Sequence, residues 1–131
     1  MTRVLTGVDI IEVGRIKKAM ARPWGERFLR RVFTPLEREY CQDRVQSYAV
    51  RWAAKEAIYK ALSVGPEHRE AISWQDIEVI SAENGHPRIE LKGAARRRAE
   101  FLGIVHWTIS LSHTHEYAVA FAVALAEGGG G

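Results

Sequence analysis

Glu56 and Lys60 stand four residues apart in a segment that reads RWAAKEAIYKAL. This segment predicts a helix over Arg51 to Leu62, because its apolar residues recur at intervals of three and four, as in a buried stripe. Arg51 and Lys55 fall outside this stripe, whereas Glu56 and Lys60 fall at its edge. A half-buried carboxylate can bind a metal ion or have a shifted pKa. The alternative is that Glu56 and Lys60 form an ordinary surface ion pair.

Asp9 is a second acid in an unusual place. It interrupts the segment VLTGVDIIEV, from Val4 to Val13, whose β-branched residues predict a strand. A carboxylate within an apolar strand must be neutral, paired or bound to a metal ion. Gly7 lies on the same face of the strand and would leave room for a ligand. The alternative is that Asp9 ends the strand and caps the next helix.

Histidines offer a different kind of metal site. His113 and His115 could bind zinc as a pair, but the sequence indicates no third ligand for them. Two carboxylates with basic neighbours suit Mg²⁺ better, because this ion prefers oxygen ligands and is often shared with substrate phosphates. The chain contains neither a GxxxxGK[ST] loop nor a GxGxxG element, which disfavours the nucleotide-binding folds that use them.

The composition is that of a folded globular protein. The chain has 131 residues, of which 47% are hydrophobic and 27% charged, and its net charge is +3. We expect one domain over residues 1–127 and a disordered glycine tail over 128–131. With a single cysteine, Cys41, the chain can form no internal disulfide. This cysteine content fits a reducing cytoplasm. The sequence shows no signal segment, and no apolar run is long enough to predict a membrane span.

The first third of the chain is predicted to be helical and basic. Helices are expected over residues 14–20 and 26–32. A third should begin at a capping box, with Thr34 as the N-cap, Pro35 next and Glu37 completing it. The arginines and lysines here form either a solvated basic face or a docking surface for an acidic protein.

The second half of the chain predicts two hairpins and a helix. Strands over residues 74–81 and 88–91 flank the turn signal Glu83-Asn84-Gly85, and a helix follows over 93–101. Strands over 106–113 and 117–125 form the second hairpin. The last strand has large apolar residues on one face and alanines on the other, so both faces require burial. We therefore expect a subunit interface on the face that the helices leave uncovered.

Five segments together resemble one enzyme family. They are GVDIIEVGRI from Gly7, RWAAKEAIYKAL from Arg51, SWQDIEV from Ser73, NGHP from Asn84 and SLSHTHEYAVA from Ser110. The sequence resembles the holo-[acyl-carrier-protein] synthases, the small trimeric class of 4′-phosphopantetheinyl transferases. The resemblance implies an α+β fold with a small antiparallel sheet packed against one long helix, assembled as a homotrimer with sites at the subunit interfaces.

The resemblance also implies the reaction and the partners. The expected activity is transfer of 4′-phosphopantetheine from coenzyme A to a serine of apo-acyl carrier protein, with adenosine 3′,5′-bisphosphate as the by-product. By the family pattern, Asp9 and Glu56 hold Mg²⁺, and Lys60 stabilises charge on the phosphates or the leaving group. Glu56, or a water that it orients, is the candidate base for the serine.

Other expected roles fall on residues outside this group. The resemblance assigns contacts with the nucleotide from a neighbouring subunit to Arg51 and His113, and a phosphate contact to Gly65. It assigns carrier-protein docking to Arg15, Arg22 and Arg27. Residues 64–70 depart from the glycine-rich stretch that is usual in the family.

Two other functions fit parts of the sequence. A basic binding module for nucleic acid or an acidic protein would use Arg96 to Arg98 and the arginines of the first third, with binding that falls steeply with salt. A metallohydrolase would use His113 and His115 and would contain zinc or iron.

Overall fold

One strand, four helices, two strands, a fifth helix and two final strands follow one another in the described residues. A computed structural model describes residues 1–63, 70–81 and 86–128. In these ranges the elements are β1 Arg3–Glu12, α1 Val13–Ala21, α2 Gly25–Val32, α3 Pro35–Cys41, α4 Val45–Leu62, β2 Ile77–Ser81, β3 Pro87–Leu91, α5 Gly93–Leu102, β4 Ile104–His113 and β5 Tyr117–Ala126. The predicted α+β class is confirmed.

The main sheet has the strand order β1-β5-β4, and both pairings are antiparallel. Its register places Asp9 opposite Ala120, which in turn lies opposite Leu111 on β4. Strands β2 and β3 form a separate antiparallel pair. The last strand of the chain therefore lies at the centre of the main sheet, and β1 with its aspartate lies at one edge.

Helix α4 lies against the alanine face of β5. This face is fully buried, as are the small residues on the facing side of the helix. Short side chains on both surfaces allow the helix backbone to approach the sheet closely, and the buried area holds the two together. The residues concerned are Ala53, Ala54, Ala57 and Ala61 on α4 and Ala118, Ala120, Ala122 and Ala124 on β5.

The opposite face of the main sheet is apolar but largely exposed in the single chain. Val4 and Ile10 are 62% and 64% exposed, and Val8, Tyr117 and Phe121 are also exposed. A contiguous apolar surface of this kind is typical of an interaction site. The predicted subunit interface on this face stays a prediction.

Most predicted elements are confirmed, with two corrections. Thr34 and Glu37 form the expected capping box at the start of α3. The central helix begins at Val45, six residues earlier than the apolar stripe indicated. The prediction of a strand from Trp74 is wrong, because Ser73 and Asp76 cap a short 3-10 helix over Trp74–Asp76 and β2 begins only at Ile77.

Some expectations concern residues outside the described ranges. The turn at residues 83–85, most of the loop at 64–70 and the last three glycines of the tail belong to this group. The division into a domain over 1–127 and a tail over 128–131 stays a prediction. No helix in the described parts of the chain is both long and apolar enough to cross a membrane.

Candidate active site

Asp9, Glu56 and Lys60 lie together where β1 crosses α4. The Lys60 ammonium lies 3.1 Å from Oδ1 of Asp9 and also donates a hydrogen bond to the carbonyl oxygen of Val8, at 3.0 Å. Asp9 is only 16% exposed, whereas the lysine side chain is 51% exposed. The aspartate is therefore paired within the strand. The alternative that Asp9 ends the strand and caps the next helix is wrong, because β1 continues to Glu12.

Gly7 allows this close crossing. A Cβ atom at position 7 would overlap the carbonyl oxygen of Ala57 in α4, which is backbone and cannot rotate away. The expected space for a ligand at Gly7 is therefore wrong, because the helix backbone fills it. The absent side chain instead allows β1 to lie directly on α4, which brings Asp9, two residues further on, beside Lys60.

Glu56 lies one helical turn before Lys60 and therefore on the same side of α4. Burial raises the pKa of Glu56 above its usual value, and the negative charge of Asp9 raises it further, while Lys60 opposes both effects. An aspartate can exert this influence only from nearby. Lys60 forms its ion pair with Asp9 on the strand. The alternative of an ordinary surface ion pair between Glu56 and Lys60 is therefore wrong. Two carboxylates and one ammonium thus share a partly exposed position.

The structure places Arg51 on the other side of α4. Nine residues separate it from Lys60, which puts the two side chains on opposite sides of a helix and about 13 Å apart along its axis. The expectation that Arg51 lies outside the buried surface is wrong, because only 4% of it is exposed. Its guanidinium lies 4.2 Å from the ring centre of Tyr40 and donates a hydrogen bond to Ser81. Its Nε is buried without a hydrogen-bond partner.

His113 and His115 are exposed near the turn between β4 and β5. Strand β5 separates His113 from β1, so the backbones of His113 and Asp9 are roughly 10 Å apart or more. Within the described ranges, no group of three His, Cys, Asp or Glu side chains could hold a metal ion. Gly65 lies outside the described residues. One protomer therefore does not bring Arg51 or His113 to the site around Asp9.

The basic residues fall into two groups with different surroundings. Arg15 and Arg22 are exposed on one side of α1 and line a shallow cavity of about 500 Å³ with Trp24, and Arg27 is exposed on α2. The arginines of α5 are partly engaged within the chain. Arg97 forms two hydrogen bonds with Glu70, at 2.8 and 2.6 Å, and Arg98 donates to the carbonyl oxygen of Leu62. These contacts disfavour a nucleic-acid interface at residues 96–98.

The buried ion pair of Lys55 was not predicted from the sequence. This residue, expected to lie outside the buried surface, is fully buried, and its ammonium lies 2.7 Å from Oε1 of Glu37. It also donates hydrogen bonds to the carbonyl oxygens of Trp74 and Ile77. Burial lowers the pKa of Lys55, and the charge of Glu37 opposes this shift. The signal available in the sequence was a lysine that directly follows Ala53 and Ala54 in a helix rich in apolar residues.

Comparisons with known proteins identify the family of this chain. The family model described as the 4′-phosphopantetheinyl transferase superfamily matches residues 6–122. This range contains the acids, the lysine and the whole of α4. Because the match spans most of the chain, the protein belongs to the 4′-phosphopantetheinyl transferase superfamily.

Its relatives carry a more particular name. The chain is 50% identical to a holo-[acyl-carrier-protein] synthase of Herpetosiphon aurantiacus, over 93% of this chain and 98% of that protein. It is 52% identical to one of Dehalococcoides mccartyi, over 91% and 96%. The crystal structure of the Helicobacter pylori synthase in complex with coenzyme A matches with a TM-score of 0.79 and 32% identity, over 92% and 99%.

Proposed function

We propose that this protein transfers 4′-phosphopantetheine from coenzyme A to a serine of an apo-acyl carrier protein. The products are the holo-carrier protein and adenosine 3′,5′-bisphosphate. The observation that carries the proposal is the convergence of Asp9, Glu56 and Lys60 at one partly exposed position, in a chain whose relatives are holo-[acyl-carrier-protein] synthases. Cleavage of a diphosphate requires charge neutralisation and a fixed line of attack, and this set of charges can provide both.

The site fits a magnesium ion. Asp9 and Glu56 offer carboxylate oxygens, and Mg²⁺ typically takes one or two carboxylates from a protein together with waters and substrate phosphates. The charge of Asp9 raises the pKa of Glu56, so a nearby cation would relieve an existing repulsion between the two acids. When bound, the ion would neutralise the diphosphate of coenzyme A.

The roles of the side chains follow from their positions. Lys60 is half-exposed and can donate to a phosphate oxygen while it remains close to Asp9. Glu56, or a water that it orients, accepts the proton of the attacking serine. The serine oxygen then bonds to the phosphorus that carries the pantetheine, and the bond from this phosphorus to the bridging oxygen breaks. The bisphosphate leaves with that oxygen.

The nucleotide contacts belong to a homotrimer in this proposal. Arg51 lies on the opposite side of α4 from Lys60, so it can contact only a nucleotide held by a neighbouring subunit. The exposed apolar face of the main sheet supplies surface for the assembly. His113 and Gly65 are assigned to the nucleotide on the same grounds of family resemblance, and a cytoplasmic location is part of the same proposal.

The carrier protein would dock on α1 and α2. Arg15, Arg22 and Arg27 are exposed there, and Trp24 adds an apolar contact that is 52% exposed. An acidic partner would be attracted to this surface by charge, which chiefly affects association rate and specificity. Reversal of Arg15 to Glu should therefore raise the KM for carrier protein about tenfold and leave the KM for coenzyme A unchanged. An unchanged KM for carrier protein would place the docking surface elsewhere.

The direct test is a transfer assay with purified components. The protein is mixed with coenzyme A, Mg²⁺ and an apo-acyl carrier protein, and the carrier is weighed by mass spectrometry. We expect a gain of roughly 340 Da, the mass of one phosphopantetheine group. A parallel reaction with EDTA in place of Mg²⁺ should give no product. A carrier protein whose mass stays unchanged with Mg²⁺ would refute the proposed activity.

A further inference from the structure

The carboxyl end of α2 is bound by one side chain from a distant part of the sequence. Nε2 of Gln75 donates a hydrogen bond to the carbonyl oxygen of Arg30 at 2.8 Å. The same nitrogen lies 3.2 Å from the carbonyl oxygen of Arg31 and 3.0 Å from that of Phe33. The last carbonyl groups of a helix have no partner within the helix itself. Gln75 therefore supplies donors that this end of α2 lacks.

These contacts require the amide group of Gln75. All three neighbours are carbonyl oxygens, which only accept hydrogen bonds, so the side chain presents its NH2 group to them. This group has two hydrogens, which the three acceptors share. Asparagine has the same group on a side chain that is one methylene shorter. The contacts to α2 thus depend on the type of residue at position 75.

The 3-10 turn that carries Gln75 is itself fixed to α4. Lys55 donates a hydrogen bond to the carbonyl oxygen of Trp74 at 2.9 Å and another to that of Ile77, on either side of Gln75. The ring of Trp74 stacks on Trp52 of α4, with the ring centres 4.6 Å apart. A buried and fully used polar group of this kind holds its neighbours in one geometry. Gln75 therefore reaches α2 from a base that does not move relative to α4.

Helix α2 depends on such contacts for its position. It has eight residues, and isolated helices shorter than about 12–15 residues are marginal in water. At its start Gly25 packs directly on the end of α1, because a Cβ atom at position 25 would overlap the carbonyl oxygen of Met20. At its other end Val32 and Phe33 are buried. The hydrogen bonds of Gln75 add a directional contact at this end, and so they fix the orientation of the helix.

The exposed side of α2 forms part of the surface proposed for the carrier protein. Arg27 is exposed on this helix, and Arg22 and Trp24 lie directly before its first residue. The serine of a docked carrier protein must reach Glu56 on α4. The orientation of the docking surface relative to α4 therefore decides whether the serine oxygen lies in line with the phosphorus.

We infer that Gln75 is a positioning residue for the carrier protein, which it serves by holding α2 at a fixed orientation to α4. The inference rests on the proposed function, because it requires a carrier protein docked on α1 and α2. Asp9, Glu56 and Lys60 lie on β1 and α4, so the Gln75 amide does not position them. Loss of this amide should therefore affect the carrier protein and spare coenzyme A.

The test measures two KM values for Gln75→Met in the transfer assay with coenzyme A, Mg²⁺ and an apo-acyl carrier protein. Methionine is similar in length to glutamine and is uncharged, but it has no donor. We expect the KM for carrier protein to rise about fivefold, with the KM for coenzyme A changed by less than about twofold. Gln42→Met makes the same exchange at an exposed position directly after α3, and this control should keep both KM values of the wild type.

A double-mutant cycle shows whether Gln75 acts through α2. Arg27→Ala removes a docking charge from this helix and should also raise the KM for carrier protein. In the double variant the two increases should not multiply, because a misdirected α2 loses a contact that is already absent. Two increases that multiply fully would show that Gln75 acts elsewhere, and they would overturn the inference.

A purely structural role for Gln75 would raise both KM values equally, and that result would overturn the inference while the transferase activity stands. An unchanged KM for carrier protein would overturn it as well. If Gln75→Met does not fold, Gln75→Asn, whose shorter side chain cannot reach all three carbonyl oxygens, replaces it and should show the same selective increase. A wild type that adds no phosphopantetheine to a carrier protein would refute the proposed function and the inference together.

Discussion

Helix α4 supplies the lysines of two lysine–carboxylate pairs, one with α3 and one with β1. The two pairs differ in their exposure to water. Lys55 and Glu37 lie 2.7 Å apart and are both completely buried. Lys60 and Asp9 lie 3.1 Å apart, with the lysine half-exposed. In the buried pair, other hydrogen bonds from the chain surround both charges. The open pair has Glu56 beside it and faces solvent, so a ligand can join it. Residues of the same type thus maintain the structure in one place and can bind a substrate in the other.

The largest expected effect on stability comes from breaking the buried pair. Glu37→Ala leaves the Lys55 ammonium buried without its counter-ion and also removes the partner of the Val79 amide. We expect a loss of about 3–5 kcal/mol in the free energy of unfolding, measured by urea denaturation. A loss below about 1 kcal/mol would show that the pair contributes little to the fold.

The open pair should show the opposite behaviour. Lys60→Ala should reduce the transfer rate by about 100- to 1,000-fold, because a charge opposite the reacting phosphates is lost. Its effect on stability should stay within about 1 kcal/mol, since a half-exposed ion pair contributes little. Paired measurements of turnover and thermal unfolding check both parts, with Arg88→Ala, which removes an exposed cation from β3, as the control. A Lys60→Ala variant with a much lower unfolding temperature but full turnover would show that this pair stabilises the fold and does not act in transfer.

The smallest effect concerns the buried thiol of Cys41. Burial raises the pKa of Cys41 to about 11, and the thiolate is the form that reacts. At pH 8 only about one thiol in a thousand would be ionised, and its side chain is also inaccessible. We expect no reaction with a disulfide reagent in the native protein and one thiol per chain after denaturation. Rapid labelling of the native protein would show that this side opens easily.

The sequence predicted the open pair better than the buried one. Asp9, Glu56 and Lys60 were identified because an acid in an apolar strand and an acid at the edge of a stripe are unusual positions. Lys55 and Arg51 were misplaced, because the periodicity of one helix does not reveal which other elements cover it. Helix α3 and strand β2 cover this side, and their approach depends on contacts between distant parts of the chain. The 3-10 turn before β2 was missed although Ser73 and Asp76 have capping-box spacing.

The central claim is that Asp9 and Glu56 act together at one site for phosphopantetheinyl transfer. The most direct measurement is the transfer rate of Asp9→Asn and of Glu56→Gln, followed by mass spectrometry of the carrier protein over a range of Mg²⁺ concentrations. Each substitution removes a charge and retains the shape of the side chain. We predict that each variant loses at least about 100-fold in rate while it unfolds at the temperature of the wild type. Wild-type turnover in either variant would contradict the account.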